Sequence, residues 1–321
     1  MRALSRQLPV PALVAALAIA CAACGSSSTP GTTPSSPAAA SSASGGTFPA
    51  TIAAANGAVR VPARPKAIIS LSPTVTEMLY AIGAGSQVKA VDADSNYPPQ
   101  APRTKLSGLS PNVEAIVADK PDLVVESYDT GNLTKRLAAF SIPVLELPSP
   151  SQLSGVYSEL TQLGAATGHV AQARSEDARL RTQIAAIVAA APHPTRPVTY
   201  YYELDNTYYS LTSGTFVGHL LGLLGMKSIA DAAKGAAAAG GYPQLSSEYI
   251  LRSNPDYILL ADTVCCHQSA ATVAARPGWS SLAAVKDGHV IPLNDDVASR
   301  WGPRIVDLLR SVATALAKHN Q

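Results

Sequence analysis

The chain has 321 residues and a nearly balanced charge, with 24 Lys and Arg against 22 Asp and Glu and a formal net charge of +2 at pH 7. No stretch concentrates basic residues with interleaved aromatic residues, so we do not expect a nucleic-acid partner. The length and the 47% content of hydrophobic residues allow two domains with substantial cores.

The first 24 residues have the pattern of a secretory signal. Two arginines precede an apolar run over residues 8–20, which is too short to span a bilayer permanently. Small residues surround Cys21 and Cys24, and a cysteine at the cleavage point is typical of a bacterial lipoprotein signal. We favour Cys24 as the lipid-bearing residue, because two alanines precede it and a glycine follows it. The mature protein is then expected on the outer face of the cytoplasmic membrane.

Residues 25–47 consist of Gly, Ser, Thr, Pro and Ala only. A segment of this composition cannot bury enough apolar area to fold, so the sequence predicts a disordered tether. The globular part is expected to begin near residue 48.

Strands and helices alternate from Lys66 onward, which predicts an α/β fold with mostly parallel sheets flanked by helices. Thr74 and Glu77 have the spacing of a capping box at the start of the first helix. The first half contains predicted strands over residues 67–72, 88–91, 123–126 and 144–147, and predicted helices over residues 73–82, 113–119 and 133–140.

Two further helices are predicted over residues 152–167 and 170–191, and Pro192 ends the second one. The second helix would span roughly 33 Å, enough to connect two lobes. The predicted organisation is an N-terminal α/β lobe over residues 60–168, a connecting helix over 169–192 and a C-terminal α/β lobe over 193–321. In the C-terminal lobe we predict strands over residues 198–204, 208–211, 257–260 and 290–293, and helices over 216–224, 247–253, around Leu282 and over 303–318.

One phrase occurs twice in the chain. Glu114 lies in a short helix that is followed by Pro-Asp and an apolar strand, and Glu248 lies in a second helix with the same spacing. Asn112 and Ser246 are the predicted N-caps of these helices. Two copies indicate two similar lobes, on which the two glutamates would form matched acidic positions for a two-fold symmetric partner. The alternative is that each carboxylate only stabilises the positive end of its helix.

Aromatic residues are concentrated in the second half, where eight of the twelve tyrosines lie between Tyr200 and Tyr257. Tyrosine suits a large ligand that is partly ring and partly amide or carboxylate. Because side chains alternate along a strand, Tyr200 and Tyr202 should face opposite to Tyr201, and we assign Tyr202 to the cleft. Loop aromatics beside Pro or Gly are further candidates for a site beyond the carboxyl ends of the strands, namely Tyr97, Tyr242 and Trp301.

Cys265 and Cys266 are adjacent, which is not a disulfide framework. They could form a vicinal disulfide that stiffens a loop, or remain thiols and, with His267, offer soft ligands to a metal. A structural role is the favoured interpretation, and we predict neither a metal site nor a cofactor.

Sequence motifs of enzymes are not convincing in this chain. It has no G-x-S-x-G or H-E-x-x-H motif, and the one S-x-x-K match at Ser86 lacks its companion motifs. The six histidines are scattered, whereas a zinc or manganese receptor would gather several of them. The sequence therefore predicts a binding protein, with a secreted enzyme as the least favoured alternative.

Several segments together resemble the cobalamin and ferric-siderophore class of ABC-transporter substrate-binding lipoproteins. They are the segment at residues 68–85, NYPP at 96–99, NVEAIVADKPDLVV at 112–125, TSG at 212–214, YPQLSSEYIL at 242–251 and GPRIVDLL at 302–309. The resemblance runs from about Arg60 to the C-terminus. It implies two α/β lobes bridged by one long helix, a ligand in the cleft, little closure on binding, and permease docking through Glu114 and Glu248.

The resemblance also implies a ligand site. Tyr242 matches an aromatic residue of cobalamin-binding members, whereas Gly108 and Asp94 stand where that pattern has aromatic residues. Asp296 and Arg300 fall where the family contacts its ligand, and Trp301 adds a ring to the pattern. The candidate ligand-binding residues are therefore Asp94, Tyr97, Tyr202, Tyr242, Asp296, Arg300 and Trp301.

The predicted function is capture of cobalamin or a related corrinoid by a monomeric, membrane-tethered receptor that delivers it to an ABC permease. A ferric-siderophore or haem receptor remains the alternative, because tyrosine is a good iron ligand.

Overall fold

The computed structural model describes residues 46–192 and 194–319. The predicted signal peptide with Cys24, and nearly all of the predicted tether, lie outside this range. Within it, two four-stranded parallel sheets are flanked by helices, which confirms the predicted α/β fold.

The first sheet and its helices form the N-terminal lobe. A hairpin of β1 and β2 precedes the sheet, and its β1 packs on α4. The elements are β1 (Ala50–Ala54), β2 (Gly57–Val61), β3 (Ile68–Ser70), α1 (Pro73–Ala81), β4 (Val88–Val91), α2 (Val113–Ala118), β5 (Leu123–Glu126), α3 (Leu133–Ala138), β6 (Val144–Glu146) and α4 (Leu153–Thr167).

A long helix, α5 (Val170–Ala190), separates this lobe in sequence from the C-terminal lobe. The C-terminal lobe consists of β7 (Val198–Glu203), α6 (Phe216–Gly222), β8 (Met226–Ser228), α7 (Ser247–Ser253), β9 (Tyr257–Leu260), α8 (Ala270–Ala274), α9 (Ala283–Lys286), β10 (Val290–Pro292), α10 (Asp295–Ser299) and α11 (Ile305–His319). No helix in the described part of the chain is long and apolar enough to cross a membrane.

The two sheets have the same topology. Their strand orders are β4-β3-β5-β6 and β8-β7-β9-β10, so in each sheet the second strand in sequence lies beside the first, and the third and fourth follow on the other side. In such a sheet the crossovers reverse direction beside the first strand, and loops diverge there to leave a crevice at the carboxyl edge. Each lobe therefore offers one half of a binding crevice.

The repeated phrase also has the same local role in both lobes. Asn112 accepts a hydrogen bond from the amide of Ala115 (2.9 Å), and Ser246 accepts one from the amide of Tyr249 (3.2 Å), so both are the predicted N-caps. The Asp after each proline binds the beginning of the neighbouring strand. Asp122 accepts from the amide of Ala67 (3.0 Å) and Asp256 from the amide of Thr199 (2.8 Å). Each copy thus ties a helix–strand unit to the first strand of its sheet.

One apolar core runs through both lobes. It contains Ile68 and Leu123 of the first sheet, Tyr200 and Leu259 of the second, and Leu180 of α5. The outer face of each sheet has a separate apolar cluster of its own. Because both sheets share the central core, a change of angle between the lobes would expose apolar area, which costs about 25 cal/mol per Å².

A buried ionic cluster also joins the lobes. Glu77 of α1 is 3% exposed and accepts hydrogen bonds from Arg300 Nη1 (2.8 Å) and Arg304 Nε (2.9 Å). We call Glu77, Arg300 and Arg304 the Glu77 cluster. The sequence suggested that Glu77 belongs to a capping box with Thr74, and this is wrong. The N-cap is Ser72, which accepts from the amide of Val75 (3.4 Å), and the Glu77 carboxylate reaches the other lobe instead.

Trp301 makes a second polar contact between the lobes. Its indole Nε1 donates to Oε2 of Glu159 on α4 (2.9 Å), and both residues are buried. Burial raises the pKa of Glu159 from its ordinary 4.5 to about 8, although the hydrogen bond from Trp301 opposes this. The carboxyl group is therefore mainly protonated at neutral pH.

Some elements differ from the predictions. The predicted strand at Tyr208–Leu211 is absent, because Tyr208 has a positive φ of 71° and Tyr209 makes a single bridge to Gln244. The β1–β2 hairpin and the short β8, α8 and α10 were not among the predicted elements.

Replacing Glu77 with Ala should lower the free energy of unfolding by about 3–5 kcal/mol, because two largely buried arginines would lose their shared carboxylate. Urea unfolding followed by circular dichroism measures this. Asp307→Ala is the matched control, since its partner Arg310 and Asp307 itself are about half exposed, at 54% and 51%, and such pairs contribute less than about 1 kcal/mol. Equal losses in the two variants would contradict the role of the Glu77 cluster.

The free energy of unfolding of Glu159→Gln, relative to that of the unchanged protein, should rise as the pH rises from about 5 to about 9. The raised pKa means that the contribution of Glu159 to stability is complete below pH 4.5 and is lost as the pH rises through about 8. A glutamine has no such dependence, and its carbonyl still accepts from Trp301. Urea midpoints across this pH range test it, with the exposed Glu114→Gln as the charge control. Parallel curves for the unchanged chain and Glu159→Gln would contradict the assignment.

Candidate functional site

A cavity of about 510 Å³ lies between the lobes, at the carboxyl edges of both sheets. We call it the cleft cavity. Its walls come from the loops that follow β3 and β4 in one lobe and β7, β9 and β10 in the other, so the two crevices predicted by the topology face each other. It is lined by Pro73, Thr74, Ala93, Asp94, Asn96, Leu204, Ala261, Cys265, Asp295, Asp296, Ser299, Arg300 and Trp301.

Four of the seven predicted ligand-binding residues line this cavity, namely Asp94, Asp296, Arg300 and Trp301. Arg300 is only 9% exposed, and its terminal nitrogens are already engaged. Nη1 donates to Glu77 and to Asn96 Oδ1 (3.0 Å), and Nη2 donates to the Asp94 carbonyl (3.1 Å) and to Asp296 Oδ1 (2.7 Å). Arg300 therefore fixes the wall of the cavity more than it offers donors to a ligand.

Asp296 is shared between the lobes as well. Its second oxygen accepts from the amide nitrogen of Asn96 at 2.7 Å, across the cleft from α10 to the loop after β4. The polar wall formed by Asn96, Asp296 and Arg300 is thus held together by hydrogen bonds within the protein.

Tyr97 lies at a different cavity. This cavity of about 420 Å³ is lined by Glu77, Glu176, Arg179 and Arg304 among others, and the Arg304 guanidinium lies 4.2 Å from the centre of the Tyr97 ring. Tyr97 is therefore placed by a cation–π contact with the Glu77 cluster, and it does not line the cleft cavity with the other candidates.

Tyr202 was expected in the cleft, and the structure contradicts this. Tyr200, Tyr201 and Tyr202 are all 0% exposed, because β7 is an interior strand of a parallel sheet with both faces covered. The Tyr202 hydroxyl donates to the carbonyl of Ala298 (2.9 Å). Tyr202 is therefore hydrogen-bonded to α10 and, being fully buried, does not contact the cavity.

Tyr242 is accessible and has an aromatic neighbour that the sequence analysis missed. Tyr242 is 42% exposed and Tyr128, in the loop after β5 of the other lobe, is 56% exposed. Burial and the nearby Tyr128 raise the pKa of Tyr242, and burial and the nearby Glu159 raise that of Tyr128. The two exposed tyrosines thus come one from each lobe. An aromatic residue directly after a buried strand was the signal for Tyr128.

The loop over residues 262–268, here the Cys loop, forms the wall after β9. The Asp295 carboxylate accepts from the amides of Thr263 (2.9 Å), Val264 (3.0 Å) and Cys265 (2.8 Å). Burial raises the pKa of Asp295, but these hydrogen bonds outweigh it and the pKa is lowered overall. Asp295 is thus an anion that holds three consecutive amides of the loop.

Buried charges lie beneath the Cys loop. Glu203, at the end of β7, is 0% exposed and makes a two-pronged ion pair with Arg276 (2.5 and 2.6 Å). Asp262 is also fully buried, and burial followed by the charge of Glu203 raises its pKa to about 7. The Asp262 carbonyl accepts from the amides of Cys266 (3.2 Å) and Gln268 (3.3 Å). The backbone of the Cys loop is therefore also held by the Asp262 carbonyl.

Both cysteines of the loop are free thiols, with their sulfur atoms 2.8 Å apart. Cys265 is exposed and lines the cleft cavity, whereas Cys266 does not line it. Burial, then the hydrogen bond and charge of Cys266, raise the pKa of Cys265 to about 12. No cluster of three or more His, Cys, Asp or Glu residues able to hold a metal ion is found within residues 46–192 and 194–319.

Glu114 and Glu248 are exposed in the first turns of α2 and α7, as predicted. Hydrogen bonds from its own backbone amide and from Ser246 lower the pKa of Glu248. Gly108 also has a structural explanation, because a Cβ atom there would lie 2.3 Å from the carbonyl oxygen of Leu71. This backbone cannot carry an aromatic side chain at that position.

The chain matches known proteins over most of its length. A family model described as "Periplasmic binding protein" matches residues 68–297. A cobalamin-binding protein of Halobacterium salinarum is 31% identical, over 83% of this chain and 73% of its own length. An ABC transporter substrate-binding lipoprotein of Bacillus subtilis is 29% identical, over 84% of this chain and 86% of its own.

Solved structures agree with this result. The crystal structure of a periplasmic vitamin B12 binding protein of Vibrio cholerae superposes with a TM-score of 0.64 and 25% identity, over 80% of this chain and 99% of that one. The family model covers well over half of the chain. This chain belongs to the periplasmic binding protein family.

Proposed function

We propose that this protein captures cobalamin or a related corrinoid in the cleft cavity and delivers it to the membrane subunits of an ABC importer. The observation that carries the proposal is the cavity between two lobes whose sheets have the same topology, with the Trp301 ring and several polar groups on its walls. The relatives named for cobalamin or vitamin B12 support the choice of ligand. Binding and release require no bond to be broken, so no catalytic residue is assigned.

The chemistry of the cleft suits a corrinoid. Such a ligand has a broad apolar ring system with amide groups around its edge. Trp301 offers a ring face and Asp94 a carboxylate acceptor for amide N–H groups in the cleft cavity, and Tyr128 and Tyr242 are exposed aromatic residues, one in each lobe. The cavity of about 510 Å³ is open to solvent, and we propose that a larger ligand extends beyond it to contact Tyr128 and Tyr242.

The delivery step is proposed to use the two exposed glutamates. Glu114 and Glu248 occupy equivalent positions in the repeated phrase, one per lobe, and an ABC permease with two-fold symmetry offers two equivalent surfaces. A lipid on Cys24 would hold the protein at the outer face of the cytoplasmic membrane, where this partner is reached. Export and lipidation at Cys24 belong to the proposal.

Titration calorimetry with cyanocobalamin, haemin and a ferric hydroxamate siderophore tests the ligand. We expect one cyanocobalamin per protein, and at least about tenfold weaker binding in Tyr242→Ala and in Tyr128→Ala, because each variant loses an aromatic contact worth roughly 1.4 kcal/mol or more.

Phe140→Ala is the matched control. It removes an exposed ring at the end of the sheet opposite to the cleft, since Phe140 precedes β6 whereas Tyr128 follows β5. Haem or siderophore binding without corrinoid binding would replace the ligand assignment. Unchanged affinity in both tyrosine variants would contradict the proposed contacts with Tyr128 and Tyr242.

Replacing Glu114 and Glu248 together with Ala should leave the corrinoid affinity unchanged and reduce uptake into cells by at least about tenfold, because two charge contacts to the permease are lost. Uptake of radiolabelled cyanocobalamin by a strain that carries only the variant receptor measures this.

The control for net charge is Asp119→Asn with Asp287→Asn. These residues cap the C-terminal ends of α2 and α9, so the pair removes one carboxylate per lobe away from the first turns of α2 and α7. Normal uptake in the glutamate variant, or an equal loss in the control, would reject docking through Glu114 and Glu248.

A further inference from the structure

A buried carboxyl group without a hydrogen-bond donor lies at the start of the Cys loop. Asp262 is 0% exposed, and neither of its carboxyl oxygens accepts a hydrogen bond from the described residues. It lies on the same face of the sheet as the equally buried Glu203, because Glu203 is paired with Leu260 and Asp262 follows two residues later. Two neighbouring buried carboxylates require a positive partner each, or a proton.

Arg276 supplies a positive partner to only one of the two. It donates to both oxygens of Glu203, from Nη1 (2.6 Å) and from Nη2 (2.5 Å). Nη2 also donates to Oε1 of Gln268, at the far end of the Cys loop (2.7 Å). Asp262 receives none of these hydrogen bonds. A proton on Asp262 completes the pair, because a protonated carboxyl group can donate to Glu203.

The charged and titratable groups that face Asp262 are Glu203 and Tyr201 on β7 and Arg276 after α8. Burial, followed by the charge of Glu203, raises the pKa of Asp262 to about 7, although Arg276 opposes this. Burial also raises the pKa of Tyr201 well above its ordinary 10, so its hydroxyl stays neutral. The stabilising contribution of Asp262 is therefore complete below pH 3.8 and is lost as the pH rises through about 7.

The backbone of Asp262 carries the Cys loop. Its carbonyl accepts from the amides of Cys266 (3.2 Å) and Gln268 (3.3 Å). Between them, His267 has a positive φ of 54°, a conformation that is unfavourable for a residue with a Cβ atom and has to be held by its surroundings. A displacement of Asp262 would remove these hydrogen bonds and allow the loop to leave this conformation.

We propose that Asp262 and Glu203 form a pH switch for the wall of the cleft, which shares one proton while the ligand is bound and releases the Cys loop when that proton is lost. Ala261 and Cys265 line the cleft cavity, so a displaced loop changes the contacts of the ligand. The inference rests on the proposed function and adds a regulation to the same site. Capture is strong up to neutral pH and weakens in alkaline conditions.

Titration calorimetry with cyanocobalamin between pH 6 and pH 8.5 tests the switch. We expect the affinity of the unchanged protein to fall at least about tenfold over this range, because only the fraction with a protonated Asp262 offers the ordered wall. Binding at pH 8 should also take up close to one proton per site. Titrations in two buffers of different ionisation enthalpy measure this uptake.

Asp262→Asn is the test variant, because its amide keeps the shape of a protonated carboxyl group and can donate to Glu203. It should show no fall in affinity between pH 6 and pH 8.5 and no uptake of a proton at pH 8. Glu159→Gln is the matched control, since it removes another buried carboxyl group whose pKa is raised. This control should keep both the fall in affinity and the proton uptake.

A constant affinity in the unchanged protein, or an equal fall in Asp262→Asn, would overturn the switch and leave the proposed function standing. If Asp262→Asn does not fold, the proton uptake of Glu159→Gln at pH 8 decides, and its absence would overturn the switch.

Absence of heat with cyanocobalamin at pH 6 would overturn the proposed function instead. The switch is then judged without a ligand from the fluorescence of Trp279, whose ring centre lies 4.6 Å from the Arg276 guanidinium. A change between pH 6 and pH 8.5 that Asp262→Asn lacks would support the proton-dependent loop, and identical curves in the two proteins would overturn it.

Discussion

The Glu77 cluster is the constraint on which the arrangement of the cleft depends. Glu77 belongs to the first helix of the N-terminal lobe, and both of its arginine partners lie more than 220 residues later, next to the wall of the cavity. Because the three side chains are largely withdrawn from water, each charge requires the others. Arg300 extends the cluster to Asn96, the Asp94 carbonyl and Asp296, so the same contacts that join the lobes also shape the site.

The shared apolar core also joins the two lobes. Side chains on the inner faces of both sheets pack into one apolar cluster with α5 and α11. Trp301 belongs to this cluster and donates its hydrogen bond to Glu159. Hinged closure around a ligand requires a few residues that absorb a large backbone rotation. Here a continuous core and a buried ionic cluster oppose such a motion. These contacts favour a preorganised cleft, in which the affinity for the proposed ligand depends on the groups along its walls rather than on closure.

Much of the fold could be predicted because it is encoded locally and encoded twice. The caps Asn112 and Ser246, the two Pro-Asp pairs and the apolar strands after them gave correct helices and strands in both lobes. The hairpin was missed although Asn-Gly is a common hairpin signal and Asn56-Gly57 stands where the turn meets β2. The site was harder to predict. Alternation along β7 suggested that Tyr202 faces the cleft, but helices cover both faces of this strand. Glu77 had a plausible local role, and nothing near it in sequence indicated its distant arginines.

The central claim is that the two lobes are held at a fixed separation and bind their ligand without closing. Spin labels at positions 114 and 248, in a background with Cys265 and Cys266 replaced by serine, allow the distance between the lobes to be measured by pulsed electron paramagnetic resonance. We expect one narrow distance that changes by no more than about 1 Å when cyanocobalamin is added at saturation. A broad distribution in the free protein, or a shift of several ångströms on binding, would contradict it.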